Sequence, residues 1–313
     1  MKRILGLSSI IAPLLLIGCG SNDSNETHQT NVSFLVSDAP VDSADAVSIG
    51  FSQVELVPSS GESIFLDVVP NNPSDDYAQI DLLQYQGTDS ALIVSQQPVP
   101  AGQYKNLILH ITKESNVNYV IDNNGQQPLK QPSNKLQLGS FSVDEQNTQE
   151  FTIEFDLRQS LVMRGNENSN NGYILKPHGV TILDNDNAAS LSGTVDPSLF
   201  CADGAESGYV YLYSGLDLAA SMLIDLVDEH DSEFDSSVPV PEGSHTPVAS
   251  TGVDDSGAYS FGYLSSGNYT AAFACDAKGD DPIQYDAIPI ANPDGSVHET
   301  TLETGKSHIL DFS

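Results

Sequence analysis

The stretch Phe151-Thr152-Ile153-Glu154-Phe155-Asp156-Leu157 has an apolar side chain at every second position, with Thr, Glu and Asp between. A period of two puts the apolar groups on one face of an extended chain and the polar ones on the other. A helix would scatter them, so the stretch reads as a half-buried β-strand. Val32, Phe34 and Val36 alternate in the same way, as do Val47, Ile49 and Phe51, before the phase slips to Val54 and Leu56. A slip of one within such a run marks a β-bulge. Further strands are expected over 64–69, 80–83, 104–112, 117–121, 136–143 and 174–183, and then over 190–195, 209–213, 258–264, 269–274, 287–290, 299–302 and 308–312. Runs this short, broken by Gly, Pro, Asn and Asp, define an all-β chain of two tandem β-sandwich domains.

The 313 residues allow about two domains. A first is expected over 31–184 and a second over 188–313, with the polar joint Asp184-Asn185-Asp186-Asn187 between them. Ahead of both, Met1-Lys2-Arg3 leads into an apolar run from Ile4 to Ile17 that ends Leu16-Ile17-Gly18-Cys19. A basic head, an apolar stretch too short to span a bilayer and a small residue before the cut make a secretory signal, residues 1–18. Residues 19–30, polar and without an apolar period, read as a flexible tether.

Eleven basic residues stand against 43 acidic ones, a formal net charge of −32. Nucleic acid is excluded as a partner, because its phosphates would be repelled. No Lys or Arg occurs between Lys176 and Lys278, and Asp225–Asp235 (DLVDEHDSEFD) is the densest acidic run within that gap. Leu216–Leu226 has a helical period with Asp217 as its cap, so a short helix and an acidic insertion loop are expected over 216–247.

Leu16-Ile17-Gly18-Cys19 resembles the lipobox of bacterial lipoproteins. The resemblance implies that Cys19 carries the lipid, palmitate included, and that Gly20 after it favours the outer membrane over inner-membrane retention. Residues 34–42 (FLVSDAPVD), Ile80-Asp81-Leu82-Leu83, Val99-Pro100-Ala101-Gly102-Gln103-Tyr104 and Lys176-Pro177-His178-Gly179-Val180 together resemble the bacterial lipoprotein family known as domain of unknown function 4382, over about residues 31–184. That resemblance implies an envelope location and a β fold. In the second domain, Asp254, Gly257, Tyr259, Phe261, Leu264, Gly267 and Tyr269 spell D-x-x-G-x-Y-x-F-x-x-L-x-x-G-x-Y, and Ser192-Gly193-Thr194-Val195 precedes them. These resemble the carboxypeptidase regulatory-like, transthyretin-type sandwich, which implies a fold and is nearly silent on function.

No G-x-S-x-G elbow or H-E-x-x-H zinc helix is present, and Leu302 stands where His298-Glu299 would need a second His. With Cys19 assigned to lipid, Cys201 and Cys275 form a disulfide candidate in an oxidising compartment, with two reduced buried thiols as the alternative. Oxygen ligands for Ca²⁺, the one cofactor to consider, occur at Asp184 and Asp186 and at Asp254 and Asp255, where turn formation is the plain alternative. With no Trp in the chain, sugar stacking would fall to Tyr211, Tyr213 and Tyr263, for which core packing is the favoured use. The expectation is a non-catalytic, lipid-anchored envelope protein whose membrane contact is its lipid. It would engage an envelope protein through a sheet edge or the acidic loop, or alternatively a glycan with or without Ca²⁺. A hydrolase is the least supported reading.

Overall fold

The structure is a computed structural model and describes residues 28–39, 44–114, 116–166, 169–201 and 208–313. Cys19, the signal and residues 20–27 of the tether lie outside the described residues. The tether as delimited above ends too late. Strand β1 (Gln29–Ala39) already includes Gln29 and Thr30, and Thr30 is fully buried with its hydroxyl donating to the Asp144 carbonyl.

The N-terminal unit has two facing sheets. One has the order β14-β11-β1-β5, from β5 (Ala91–Pro100), β11 (Thr148–Asp156), β14 (Val180–Asp184) and β1. Its centre is a parallel pair in which Phe34 lies opposite Phe151 and Ser37 opposite Glu154. The other is a ten-stranded sheet around β2 (Ala46–Pro58) and β6 (Gly102–Ile111), completed by β3 (Ile64–Asp67), β4 (Ala78–Asp81), β7 (Tyr119–Asp122), β8 (Gly125–Lys130), β9 (Lys135–Gln137), β10 (Phe141–Val143), β12 (Leu161–Asn166) and β13 (Ser169–Leu175). With β2 paired to β6, the register shifts between Phe51 and Gln53, where the phase slip foretold a bulge. The alternating apolar residues of both sheets meet in one core. Phe34 stacks on Phe151 at 5.4 Å between ring centroids, and Phe51 meets Phe155 at 6.3 Å.

Three departures have local causes. The run 91–100 was not anticipated because Pro98 and Pro100 break it; proline is tolerated in β5 because this strand is a sheet edge. The expected strands 136–143 and 174–183 are each split in two, the latter into β13 (Ser169–Leu175) and β14 by the turn around Pro177 and Gly179. Strand β11 ends at Asp156, because the Asp156 side chain accepts from the Gln159 amide and starts the one-turn helix α1 (Leu157–Ser160).

The C-terminal unit pairs a three-stranded sheet, β18-β15-β21, with a four-stranded one, β17-β16-β19-β20. The strands are β15 (Ala189–Thr194), β16 (Tyr209–Ser214), β17 (Ala249–Gly252), β18 (Ala258–Leu264), β19 (Gly267–Ala274), β20 (Val297–Leu302) and β21 (Ser307–Ile309). Leu191, Leu212, Tyr259, Phe261, Phe273 and Phe312 fill the space between the sheets. Cys201 and Cys275 are joined in a disulfide with their Cα atoms 5.2 Å apart. The bridge closes a loop with a sequence separation of 74, so the chain-entropy model gives about 4 kcal/mol as an upper value. Cys201→Ser/Cys275→Ser is therefore expected to lower stability by 2–4 kcal/mol, read by urea denaturation. A loss under about 0.5 kcal/mol would show that the loop is already ordered in the unfolded chain.

The expected helix over 216–226 is absent. Asp217 has a positive φ of 58° and only Ala220–Met222 make a single 3-10 turn. Leu223 and Leu226 are instead buried against Tyr209, Tyr211 and Tyr213 on the outer face of the four-stranded sheet, forming a second small core. Ile224 donates its amide to the His245 carbonyl and its own carbonyl accepts from the Tyr213 hydroxyl, so these groups are lost to a helix ladder. The expected strand 287–290 is also absent: Ala287 takes φ 56° and the Ile288 amide is held by the Asp225 carboxylate. Among the described residues no helix is long and apolar enough to cross a membrane.

Candidate functional site

The two units meet along a seam that holds Asp38, Asp156, Arg158 and Asp280, all buried among the described residues. Asp156 and Arg158 flank Leu157 where β11 passes into α1. The Arg158 guanidinium projects into the C-terminal unit. It donates to the Ala277 carbonyl at 2.9 Å and the Tyr211 hydroxyl at 3.3 Å, lies 3.7 Å from the Asp280 carboxylate, and sits 3.8 Å from the Tyr209 ring centroid. Asp156 reaches the same unit, accepting from the Ser250 amide, and Gln159 donates to the Val248 carbonyl. Two further contacts close the seam. The Tyr263 hydroxyl bonds to the Thr88 carbonyl and Ser90, and Gly262 passes against the backbone of Gly87.

The acidic segment is folded into this arrangement rather than standing free. Lys176 pairs with Asp231, and the His178 ring lies 3.6 Å from Asp228. Asp225 is fully buried. The segment is therefore partly consumed by contacts within the chain. Burial raises the Asp225 carboxyl to about 6. It raises Asp280 to about 7, against the opposing pull of Arg158 and the Tyr211 hydroxyl.

On the N-terminal side of the seam lie Asp38, Glu154 and Asp156. Asp38 is fully buried and both of its carboxylate oxygens are shielded from solvent. Its pKa is well above the ordinary range because of burial first, then repulsion from Glu154 and Asp156, with the Leu157 amide opposing. Glu154 is raised chiefly by burial of its carboxyl, and Asp156 likewise. All three line a cavity of about 140 Å³ between the units, together with residues of β18.

These shifts set a pH dependence. A carboxyl whose pKa is raised by folding holds a proton that the unfolded chain has released, so stability falls as pH rises from the unfolded value near 4 through the folded one. For Asp225 and Asp280 that window closes at about 6 and about 7. Tm is expected to be higher at pH 5 than at pH 8, on the order of 5 °C, and Asp38→Asn should narrow the difference. A Tm that rises from pH 5 to pH 8 in calorimetry would contradict this.

The residues singled out as Ca²⁺ ligands are drawn into turns. Asp184 accepts from the Asp186 amide, Asn187 and Gln149, and Asp254 accepts from Ser256 and the Ala258 amide. Asp186 lies in the turn after β14, and Asp255 in the exposed turn before β18. Among the described residues no three His, Cys, Asp or Glu side chains are grouped to hold a metal. Tyr211 and Tyr213 are fully buried and offer no stacking platform, and Tyr263 is tied to the seam. His298 packs edge-on against Phe312 at 4.9 Å. Sequence reasoning missed Asp38, Glu154, Asp156 and Arg158 as a group. The alternation of 151–157 put Glu154 and Asp156 on the polar face of a half-buried strand, so it gave no signal that they would be enclosed.

Residues 29–177 match the family model described as Domain of unknown function (DUF4382). No curated protein matches the chain. Among solved structures, the Bacillus anthracis TIE protein is 11% identical over 91% of this chain at a TM-score of 0.21, and this chain spans only 34% of it. A streptococcal ancillary pilin is 10% identical over 91% of this chain and 68% of its own at a TM-score of 0.22. A putative cell adhesion protein from Bacteroides fragilis is 10% identical over 90% of this chain and 92% of its own at 0.18. This similarity assigns no function to this chain.

Proposed function

We propose that this chain is a non-catalytic, lipid-anchored protein of the bacterial outer membrane, which holds two rigidly joined β-units on a short tether and engages another envelope component. The observation that carries this reading is the seam. An arginine from one unit is buried in the other, and ion pairs and tyrosine hydrogen bonds fix the two together. Such a module presents a fixed surface rather than a hinge. The Cys201–Cys275 disulfide agrees with an oxidising compartment, and the Cys19 motif supplies the anchor. In the C-terminal unit the D-x-x-G-x-Y-x-F stretch forms the turn that leads into β18. Asp254 caps the turn, Gly257 takes φ 87°, and Tyr259 and Phe261 are buried.

With the acidic segment partly engaged within the chain, the contact falls to a sheet edge. Strand β20 ends the four-stranded sheet, and its Thr301 is exposed. A photo-crosslinking residue at Thr301 in cells is expected to capture a discrete envelope protein. Capture of abundant membrane neighbours alone would count against the assembly role. For the anchor, Cys19→Ser should abolish incorporation of labelled palmitate and leave the signal uncleaved. Processed, labelled protein from that variant in the same membrane would end the lipoprotein reading.

A further inference from the structure

Away from the seam, the N-terminal unit gathers positive charge in one open cleft of about 710 Å³. The chain as a whole has 43 acidic residues against 11 basic ones. The cleft reverses that ratio: Lys113, Lys130 and Arg164 line it, and Glu114 is its one acid among the described residues. Elsewhere Lys135 is met by Glu55, Lys176 by Asp231, Arg158 by Asp280 and Lys306 by Glu303. Among the described residues no carboxylate pairs with Lys113, Lys130 or Arg164 in this way. Lys113 and Lys130 are exposed and Arg164 is half-buried, so the charges stay open to a ligand. The segments that carry them are held in place. Just before Lys113, the Thr112 carbonyl accepts from the Asn118 side chain, which itself accepts from the Gly50 amide. Lys130 ends β8 opposite Ile174 of β13, and Gln131 beside it donates to the Leu175 carbonyl. Arg164 lies in β12, the partner of β13.

Three like charges on one cleft repel one another until an anion enters, and a cleft lined by one sign of charge concentrates its potential. At physiological ionic strength charges more than about 8 Å away are largely screened, so the acidic surface elsewhere does not cancel this field. The remaining walls narrow the ligand. The volume falls within the roughly 300–1,000 Å³ of small-molecule sites and far exceeds one inorganic anion. The side-chain amides of Asn116 and Asn134 line the cleft and make no hydrogen bond among the described residues. An amide offers a donor and an acceptor together, which matches a sugar hydroxyl, while Lys and Arg pair with carboxylate or sulfate. Pro128 and Ile174 add a small apolar wall. The strands that supply Lys130 and Ile174 are interior to the sheet, so neither offers a free edge on which a peptide main chain could add a strand.

We propose that the cleft lined by Lys113, Lys130 and Arg164 binds an acidic oligosaccharide, its carboxylate or sulfate groups on the cations and its hydroxyls on Asn116 and Asn134. This is independent of the anchor and of the β20 edge. The test is calorimetric titration of the full chain in non-ionic detergent at physiological ionic strength. The probes are trigalacturonate, a chondroitin 4-sulfate tetrasaccharide, neutral maltotriose, a triglutamate peptide and inorganic phosphate. Saturable binding is expected for at least one of the two acidic saccharides and not for maltotriose. It should weaken at least tenfold in Lys113→Gln/Lys130→Gln, which changes two exposed side chains and leaves the core untouched, and also in Arg164→Gln. Lys105→Gln, which removes an exposed positive charge of β6 outside the cleft, should leave the affinity unchanged. The proposal is overturned if maltotriose binds equally, or if Lys105→Gln weakens binding as much as the cleft variants do. Binding of triglutamate alone would assign an acidic peptide instead, and phosphate alone giving the Lys130-dependent heat would reduce the cleft to a general anion site; either result overturns the saccharide assignment, as does the absence of saturation with every probe.

Discussion

Arg158→Ala is expected to destabilise the protein by about 3–5 kcal/mol, because it leaves the Asp280 carboxylate buried without its counter-charge. The same change removes the hydrogen bond to the Ala277 carbonyl and the cation over the Tyr209 ring. The loss depends on pH in a defined direction. Asp280 sits at about 7 with Arg158 lowering it, so without the guanidinium its carboxyl takes up a proton more readily. The penalty should be larger at pH 8 than at pH 6. Urea denaturation at the two pH values measures this, and Arg158→Met/Asp280→Asn, which removes the charges together, should recover part of the loss. The joint at 184–187, where the units connect, should become the first site of limited proteolysis in Arg158→Ala. A cost below about 1 kcal/mol with the joint still protected would show that Arg158 does not hold the seam.

Gly262→Val should have a comparable effect through packing alone. A Cβ at Gly262 would lie 1.8 Å from the Gly87 carbonyl oxygen and 2.5 Å from its carbon. Both sides of that contact are backbone, so no rotamer change relieves it, and the units must separate or β18 must shift. Overpacking of this kind costs about 1–3 kcal/mol or more. Tyr263, next along the strand, would lose its bonds to Thr88 and Ser90. Amide hydrogen exchange around Gly87 should accelerate, while the core around Leu191 and Phe273 keeps its protection. Gly267→Ala is the matched control. Its Cβ would meet only the Tyr269 ring, at 3.6 Å, and little should change. Unaltered exchange and Tm in Gly262→Val would mean that the two backbones are not in contact in solution.

The two variants probe the part of the molecule that was hardest to read. Within strands the pattern was plain: Val32, Phe34 and Val36, and Phe151, Ile153 and Phe155, all face one core, as their spacing required. Strand β18 runs over Ala258–Leu264, the span that Tyr259 and Phe261 between flanking turns had indicated. The same reasoning failed where the backbone found a partner distant in sequence. Leu216–Leu226 has a helical period, yet Leu223 and Leu226 gain more from the tyrosine face of β16 than a lone short helix would gain from its own hydrogen bonds. Two of the proposed Ca²⁺ ligands, Asp184 and Asp254, have carboxylates held in turn hydrogen bonds, the alternative that the sequence had offered beside Ca²⁺.

The sequence by itself determined the all-β class, most strand positions, the bulge in β2 and the turn chemistry before β18, because each depends on neighbours two to four residues away. Only the tertiary structure decided that β1 and β11 pair in parallel, that Arg158 crosses to the other unit, and that Asp38 is enclosed. These features join residues up to 119 positions apart, as Arg158 and Ala277 are, and a periodicity carries no information across such a distance. Whether a carboxylate is solvated or buried depends on what the fold brings over it, and at this seam that is the other half of the chain.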